Sequence, residues 1–167
     1  SASAVISIPG GVAHDVWTGV KNAPRIMQPA NDVYFEVICK YISRVNQRYQ
    51  MQGIIVEQNA ADFLRFDFNS DGSVTKLFAA SFVGGTATTR INITAGSNGV
   101  VPQWMRIRRV GSQWTLFYSF NGSTWTTAGT FSFALNVASI GPFVGNTGPP
   151  SRLTRPGSII SSMLIRR

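Results

Sequence analysis

The chain has 167 residues, long enough for one domain with a real core, and its single cysteine excludes an internal disulfide. Its net charge of +8 comes from twelve arginines and three lysines set against seven acids. The cations are scattered, with Arg106, Arg108 and Arg109 the longest cluster, which weighs against a nucleic-acid partner, whose binders carry a contiguous basic stripe.

Residues 1–32 read as irregular, punctuated by Pro9-Gly10-Gly11, Pro24 and Pro29, with a short edge strand at Val5 to Ile8. Strands are then expected at Val33–Ile42, Gln50–Glu57, Asp62–Asn69, Val74–Ser81 and Thr86–Thr94. Further strands follow at Gln103–Val110, Gln113–Phe120, Trp125–Phe133, Val137–Val144 and Ile159–Ile165. A spacing of ~8–12 residues is the cadence of a sandwich or barrel. No window of helical length shows a 3.6-residue period, and no linker divides the chain, so residues 1–167 form one all-β domain. Cys39 shares a strand face with Val33, Phe35, Val37 and Tyr41, the setting of a buried small hydrophobe. No export signal and no apolar run of spanning length appear, so membrane insertion is not expected.

The block Gln103 to Trp125 reads as a hairpin turning at Val110-Gly111-Ser112, with a second turn at Asn121-Gly122. Asn-Gly there and Asp-Gly at 71–72 suit type I′ turns, which need positive φ at both central residues.

Catalytic chemistry finds little support. Of the seven acids only Asp32 with Glu36 and Asp67 with Asp71 stand close in sequence, and neither pair resembles the two carboxyls of a glycosidase. Asp67-Phe-Asn69-Ser-Asp71-Gly72 matches the start of a calcium loop, but position twelve is Phe78, so a turn whose side chains satisfy their own backbone is expected. His14 is the only histidine, and Asp15 beside it points to the other face of a strand. No metal or other cofactor is expected.

A binding surface fits better. Arg65 and Asp67 share one face of their strand, and Trp104, Arg106 and Arg108 share one face of theirs. Gln50 and Gln52 alternate in the same manner. If these strands are neighbours, planar polar groups lie beside an indole, a surface able to bond sugar hydroxyls and stack on a pyranose.

The chain resembles bacterial and fungal sandwich domains of unknown function in the concanavalin A-like lectin/glucanase superfamily. The resemblance rests on HDVW at 14–17, NAPRIMQ at 22–28, YQMQGIIV at 49–56, FLRFDF at 63–68, WMRIRRVGSQWTLFYSFNGSTW at 104–125 and IGPFVGN at 140–146. The Asn121-Gly122 hairpin is also similar to the Asp-box turn of sialidases, with Asn where Asp is common. The last strand, SSMLIRR, lacks the acidic residue and aromatic expected there. The resemblance implies a jelly-roll sandwich of two antiparallel sheets, usually part of a larger secreted carbohydrate-active protein. It implies glycan binding on a concave sheet lined by His14, Asp15, Trp17, Asn22, Arg25 and Gln28, together with Gln52, Arg65, Arg106 and Asn146.

The expected function is therefore that of a non-catalytic carbohydrate-binding module, extracellular, with a polysaccharide or oligosaccharide as partner. The arginine bias ranks acidic polysaccharide first. A divergent glycoside hydrolase or polysaccharide lyase, and a structural protein-interaction module, are the alternatives.

Overall fold

The computed structural model describes residues 4–8, 12–97, 99–147 and 159–166. The described residues form fourteen strands and contain no helix. They are β1 (Ala4–Val5), β2 (Val16–Trp17), β3 (Val20–Lys21), β4 (Gln28–Pro29), β5 (Phe35–Tyr41), β6 (Gln50–Glu57) and β7 (Phe63–Ser70). The remainder are β8 (Val74–Val83), β9 (Thr86–Ser97), β10 (Trp104–Val110), β11 (Gln113–Ser119), β12 (Thr126–Ser132), β13 (Ser139–Asn146) and β14 (Ile159–Arg166).

Two six-stranded sheets form a jelly-roll sandwich, with orders β1-β14-β5-β10-β11-β12 and β4-β13-β6-β7-β8-β9. Every ladder in both is antiparallel. The period-2 patterning explains the packing. Phe35, Val37, Cys39 and Tyr41 of β5, with Met105 and Ile107 of β10, meet Ile54, Val56, Leu64, Phe66 and Phe68 of the facing sheet. Trp114 of β11 is fully buried, its ring 6.2 Å from Phe66 and its indole N–H donating to Phe133 O at 2.9 Å. Burial pushes the Cys39 thiol up to about 12, as a small hydrophobe in an apolar layer requires.

A second, smaller core covers the outer face of the β6–β8 region. Met51, Ile55, Phe63, Phe78, Phe82 and Phe143 pack there against Val16 and Ala23. Those two residues belong to a strap, residues 14–30, running along the free side of β13. Its backbone bonds include Ile26 N to Pro142 O at 3.0 Å, Val144 N to Pro24 O at 3.2 Å and a reciprocal pair between His14 and Asn146. The strap, part of the stretch read as irregular, thus carries three two-residue strands, β2, β3 and β4, too short to show periodicity.

The side-chain capping expected around Asp71 is present, but the type I′ geometry expected at both turns is not. Asn121 and Asp71 do not have positive φ, whereas Gly122 and Gly72 do, at 77° and 98°. Each acid or amide instead bridges its own loop. Asn121 Oδ1 accepts from the N–H groups of Ser123 and Thr124, and Asp71 Oδ1 from those of Ser73 and Val74. These loops are longer than two residues, so side-chain acceptors replace the type I′ geometry. Positive φ at both central residues occurs at Gly84-Gly85 instead, between Val83 and its partner Thr86.

Candidate functional site

The outer face of the β6–β9 sheet follows from register. Rows run Met51–Asn69–Lys76, Gly53–Asp67–Phe78–Asn92 and Ile55–Arg65–Ala80 across the ladders. The strap roofs one side of this face and leaves a cleft of about 330 Å³. Its floor is Arg65, Met51, Asn69 and Phe78, with Lys76 and Asn92 at one side. Asp15 and Trp17 of the strap form one wall, and Tyr49 and Thr147 the other.

Arg65 organises the floor. Its Nε donates to Asp67 Oδ2 at 2.6 Å, its Nη1 donates to Val16 O at 2.6 Å, and Asp15 Oδ1 lies 3.6 Å from Nη1. Asn69 Nδ2 donates to the other Asp67 oxygen at 3.0 Å, so both oxygens of this fully buried carboxylate are engaged. The guanidinium lies 5.3 Å from the Phe78 ring centroid and 5.9 Å from that of Trp17. Gly53 makes room: a Cβ there would overlap Phe66 O and the Cβ of Asp67.

Asp15 is held above its usual carboxylate range, chiefly because burial disfavours its charge, while the Val16 N–H and Arg65 pull it back. Trp17 packs its ring against Phe78 and Phe82, yet remains 39% exposed. Tyr49 is 43% exposed and holds φ at 70°, a left-handed conformation found at no other non-glycine among the described residues. Hydrogen bonds from Tyr49 N to Ser70 O and from Thr147 N to Tyr49 O pin it there.

Of the ten residues expected to line the site, three meet here: Asp15, Trp17 and Arg65. His14, Asn22 and Asn146 fasten the strap. Asn146 Oδ1 accepts from His14 N, and Asn22 bonds the Asp15 N–H and Ala13 O. Arg25 lies further along, at 3.4 Å from Glu57, which Lys21 also reaches at 2.8 Å. Gln28 lines a different opening, beside Phe35 and Ile140.

Two residues are displaced outright. Gln52 is 2% exposed and lies on the strand face of Ile54 and Val56, donating to Ser43 O at 2.8 Å. Arg106 belongs to β10, in the other sheet, so it shares no face with Arg65. Both expectations assumed that a polar residue on a strand marks a common outer face. Here the strap makes the true outer face of β6 partly apolar and leaves Gln52 inside.

Tyr49, Asn69, Lys76, Asn92 and Thr147 were not anticipated. Alternation from Arg65 and Asp67 leads to Asn69, and the hairpin register then to Lys76. Nothing in the sequence signals the left-handed Tyr49.

No protein-family profile matches the sequence, and no curated protein matches it. Solved structures do share the fold. A functionally unknown protein from Saccharomyces cerevisiae is 16% identical at a TM-score of 0.68, over 96% of this chain and 86% of its own. A xylan beta-1,4-xylosidase from Bacillus halodurans is 14% identical at 0.65, over 93% of this chain. The alignment spans only 32% of that enzyme, about a third of its length. The CBM2 module of an evolved Dit protein from Lactobacillus casei phage J-1 is 9% identical at 0.59, over 92% of this chain and 74% of that one. The homodimeric agglutinin CG-16 from chicken liver gives 10% and 0.53, over 86% of this chain and all of its own. The fold is that of a lectin-like β-sandwich.

Proposed function

We propose that the chain is a non-catalytic carbohydrate-binding module taking a glycan in the cleft between Trp17 and Tyr49. One observation carries this reading: an exposed indole forms a wall beside a floor that carries two fixed planar polar groups, Arg65 and Asn69, with Asn92 at one side. An aromatic face suits the C–H side of a sugar ring, and amides and guanidinium suit its hydroxyls. The agglutinin and the CBM2 module among its structural neighbours support the reading through fold, as does a sandwich within a longer xylosidase chain. By the same reasoning the module belongs to a larger extracellular protein acting on or displaying polysaccharide.

Hydrolysis is less well supported. Asp67 spends both oxygens on Arg65 and Asn69, which leaves Asp15 as the cleft carboxyl without a free second one to act as base or nucleophile. The charge argument for an acidic ligand does not attach to this cleft either. Arg65 is offset by Asp67 and Asp15, and Lys76 lies 3.7 Å from Asp71, so neutral glycans rank first.

Affinity electrophoresis through gels containing neutral glycans tests the assignment. Retardation by at least one glycan is expected, weakened about tenfold or more in W17A through loss of the stacking platform. Retention unchanged in W17A, or no retardation by any glycan, would overturn it. Release of reducing ends from the same panel would favour the hydrolase.

A further inference from the structure

Part of the basic excess lies on the face opposite the cleft. The strands of the β5–β10–β11 sheet contain one acid, Glu36, whereas Lys40, Arg106 and Arg108 alternate outward from β5 and β10. Register sets Glu36 opposite Arg108, Ile38 opposite Arg106 and Lys40 opposite Trp104.

The arginines there pack closely against rings, with Glu36 at the limit of ion-pair distance. The Arg106 guanidinium lies 4.2 Å from the Phe117 centroid and 4.6 Å from that of Trp125, between the two. Arg108 lies 5.3 Å from Phe117. Arg106 Nε is buried without a hydrogen-bond partner among the described residues, the nearest carboxylate oxygen, on Glu36, being 4.0 Å away, while the side chain as a whole is 21% exposed. Rings hold the guanidinium in place and leave its terminal nitrogens, not the buried Nε, for a ligand, so little side-chain freedom is lost on binding.

We propose that this face is a second binding site, independent of the cleft, for a carboxylated polysaccharide. Arg106 and Arg108 stand ~7 Å apart, two residues along one strand, and engage successive carboxylates through their forks. Charge complementarity identifies the ligand as a polyanion, and the rings narrow its class. Phe117 and Trp125 are covered by arginine, and Trp104 lies between Lys40, at 5.2 Å, and Gly122, where a Cβ would come within 2.7 Å of its Cε2. The three rings beside these cations are thus taken up, which disfavours the base stacking on which single-stranded nucleic acid binding depends.

The test is retention of the 167-residue chain in gels containing polygalacturonate, compared with neutral dextran and with a single-stranded oligodeoxynucleotide at equal charge. Polygalacturonate should retard the protein, less so as salt rises, because the Debye length falls to ~8 Å at physiological ionic strength. R106Q/R108Q should weaken retention about tenfold or more. R106K/R108K, which keeps charge without the fork, should fall between, and W17A should bind as the parent does. Equal retention of a folded R106Q/R108Q, loss of retention in W17A, or tighter binding of the oligodeoxynucleotide would each overturn the proposal. The lysine pair keeps the test decisive should the glutamine pair fail to fold.

Discussion

Arg65 and Asp67 stand two residues apart on β7 and meet side by side on its outer face, Nε to Oδ2 at 2.6 Å, with almost no exposure of either. Taking two charges out of water is costly, and their attraction offsets this only while both are present and fully bonded. D67A should therefore destabilise by about 3–5 kcal/mol, because it strands a buried guanidinium. R65M/D67M should cost much less than the two single changes added together. Urea denaturation of the three variants would measure this, and strict additivity would refute the coupling.

Tyr49 separates stability from binding. Its left-handed backbone costs ~1–2 kcal/mol for a residue with a Cβ, set against about 1 kcal/mol of extra chain entropy for glycine. Y49G should be at least as stable as the parent. Its glycan affinity should fall, because the exposed ring is one wall of the cleft. A variant that is both less stable and unaltered in binding would show that the tyrosine serves the fold alone.

Two carboxyls should give pH profiles of opposite sign. Burial raises Asp15 above its ordinary 3.8, so the folded state holds that proton more tightly than the unfolded chain. Its contribution is complete below about pH 4 and is lost as pH rises through the folded value. D15N should melt higher than the parent at pH 7, the gap closing towards pH 3. Asp32 is lowered, first by the Val137 N–H and then by Arg109, so its contribution is present above about pH 4 and is lost as pH falls through the folded value. D32N should melt lower at pH 7 and converge with the parent in acid. Thermal melts across this range, compared variant by variant, decide both.

Gly53 is fixed by space. A Cβ there meets Phe66 O and Asp67, neither of which can retreat without breaking the β6–β7 ladder or the ion pair. G53A should destabilise by about 3 kcal/mol or more, the upper end of overpacking costs. A melt unchanged in G53A would mean that the backbone yields there.

The sandwich was legible because its long strands alternate cleanly, as Phe35, Val37, Cys39 and Tyr41 do, or Met105 and Ile107. The site was legible only in part. Arg65 and Asp67 announce a polar face, but sequence does not say which sheet a strand joins, and that question separated Arg106 from Arg65. Nor does alternation tell outside from inside where both faces are covered. Met51 and Ile55 lie beneath the strap while Gln52 points inward, against the usual polarity rule. Strap residues such as Asp15 and Trp17 have no periodicity of their own, and their position depends on a partner, β13, more than a hundred residues away.

The four outermost strands divide into two kinds. At one end of each sheet stands a two-residue strand, β1 or β4. At the other ends stand β9 and β12, of twelve and seven residues, and both are irregular. Register shifts interrupt β8–β9 at Thr75/Lys76 and Ala79/Ala80, and β11–β12 at Leu116/Phe117. Unpaired backbone along a long flat strand invites another chain to add itself, whereas a bulge bends and twists the strand out of that alignment. The long end strands β9 and β12 thus offer few straight rows of free amides, which protects those two edges from pairing with another chain.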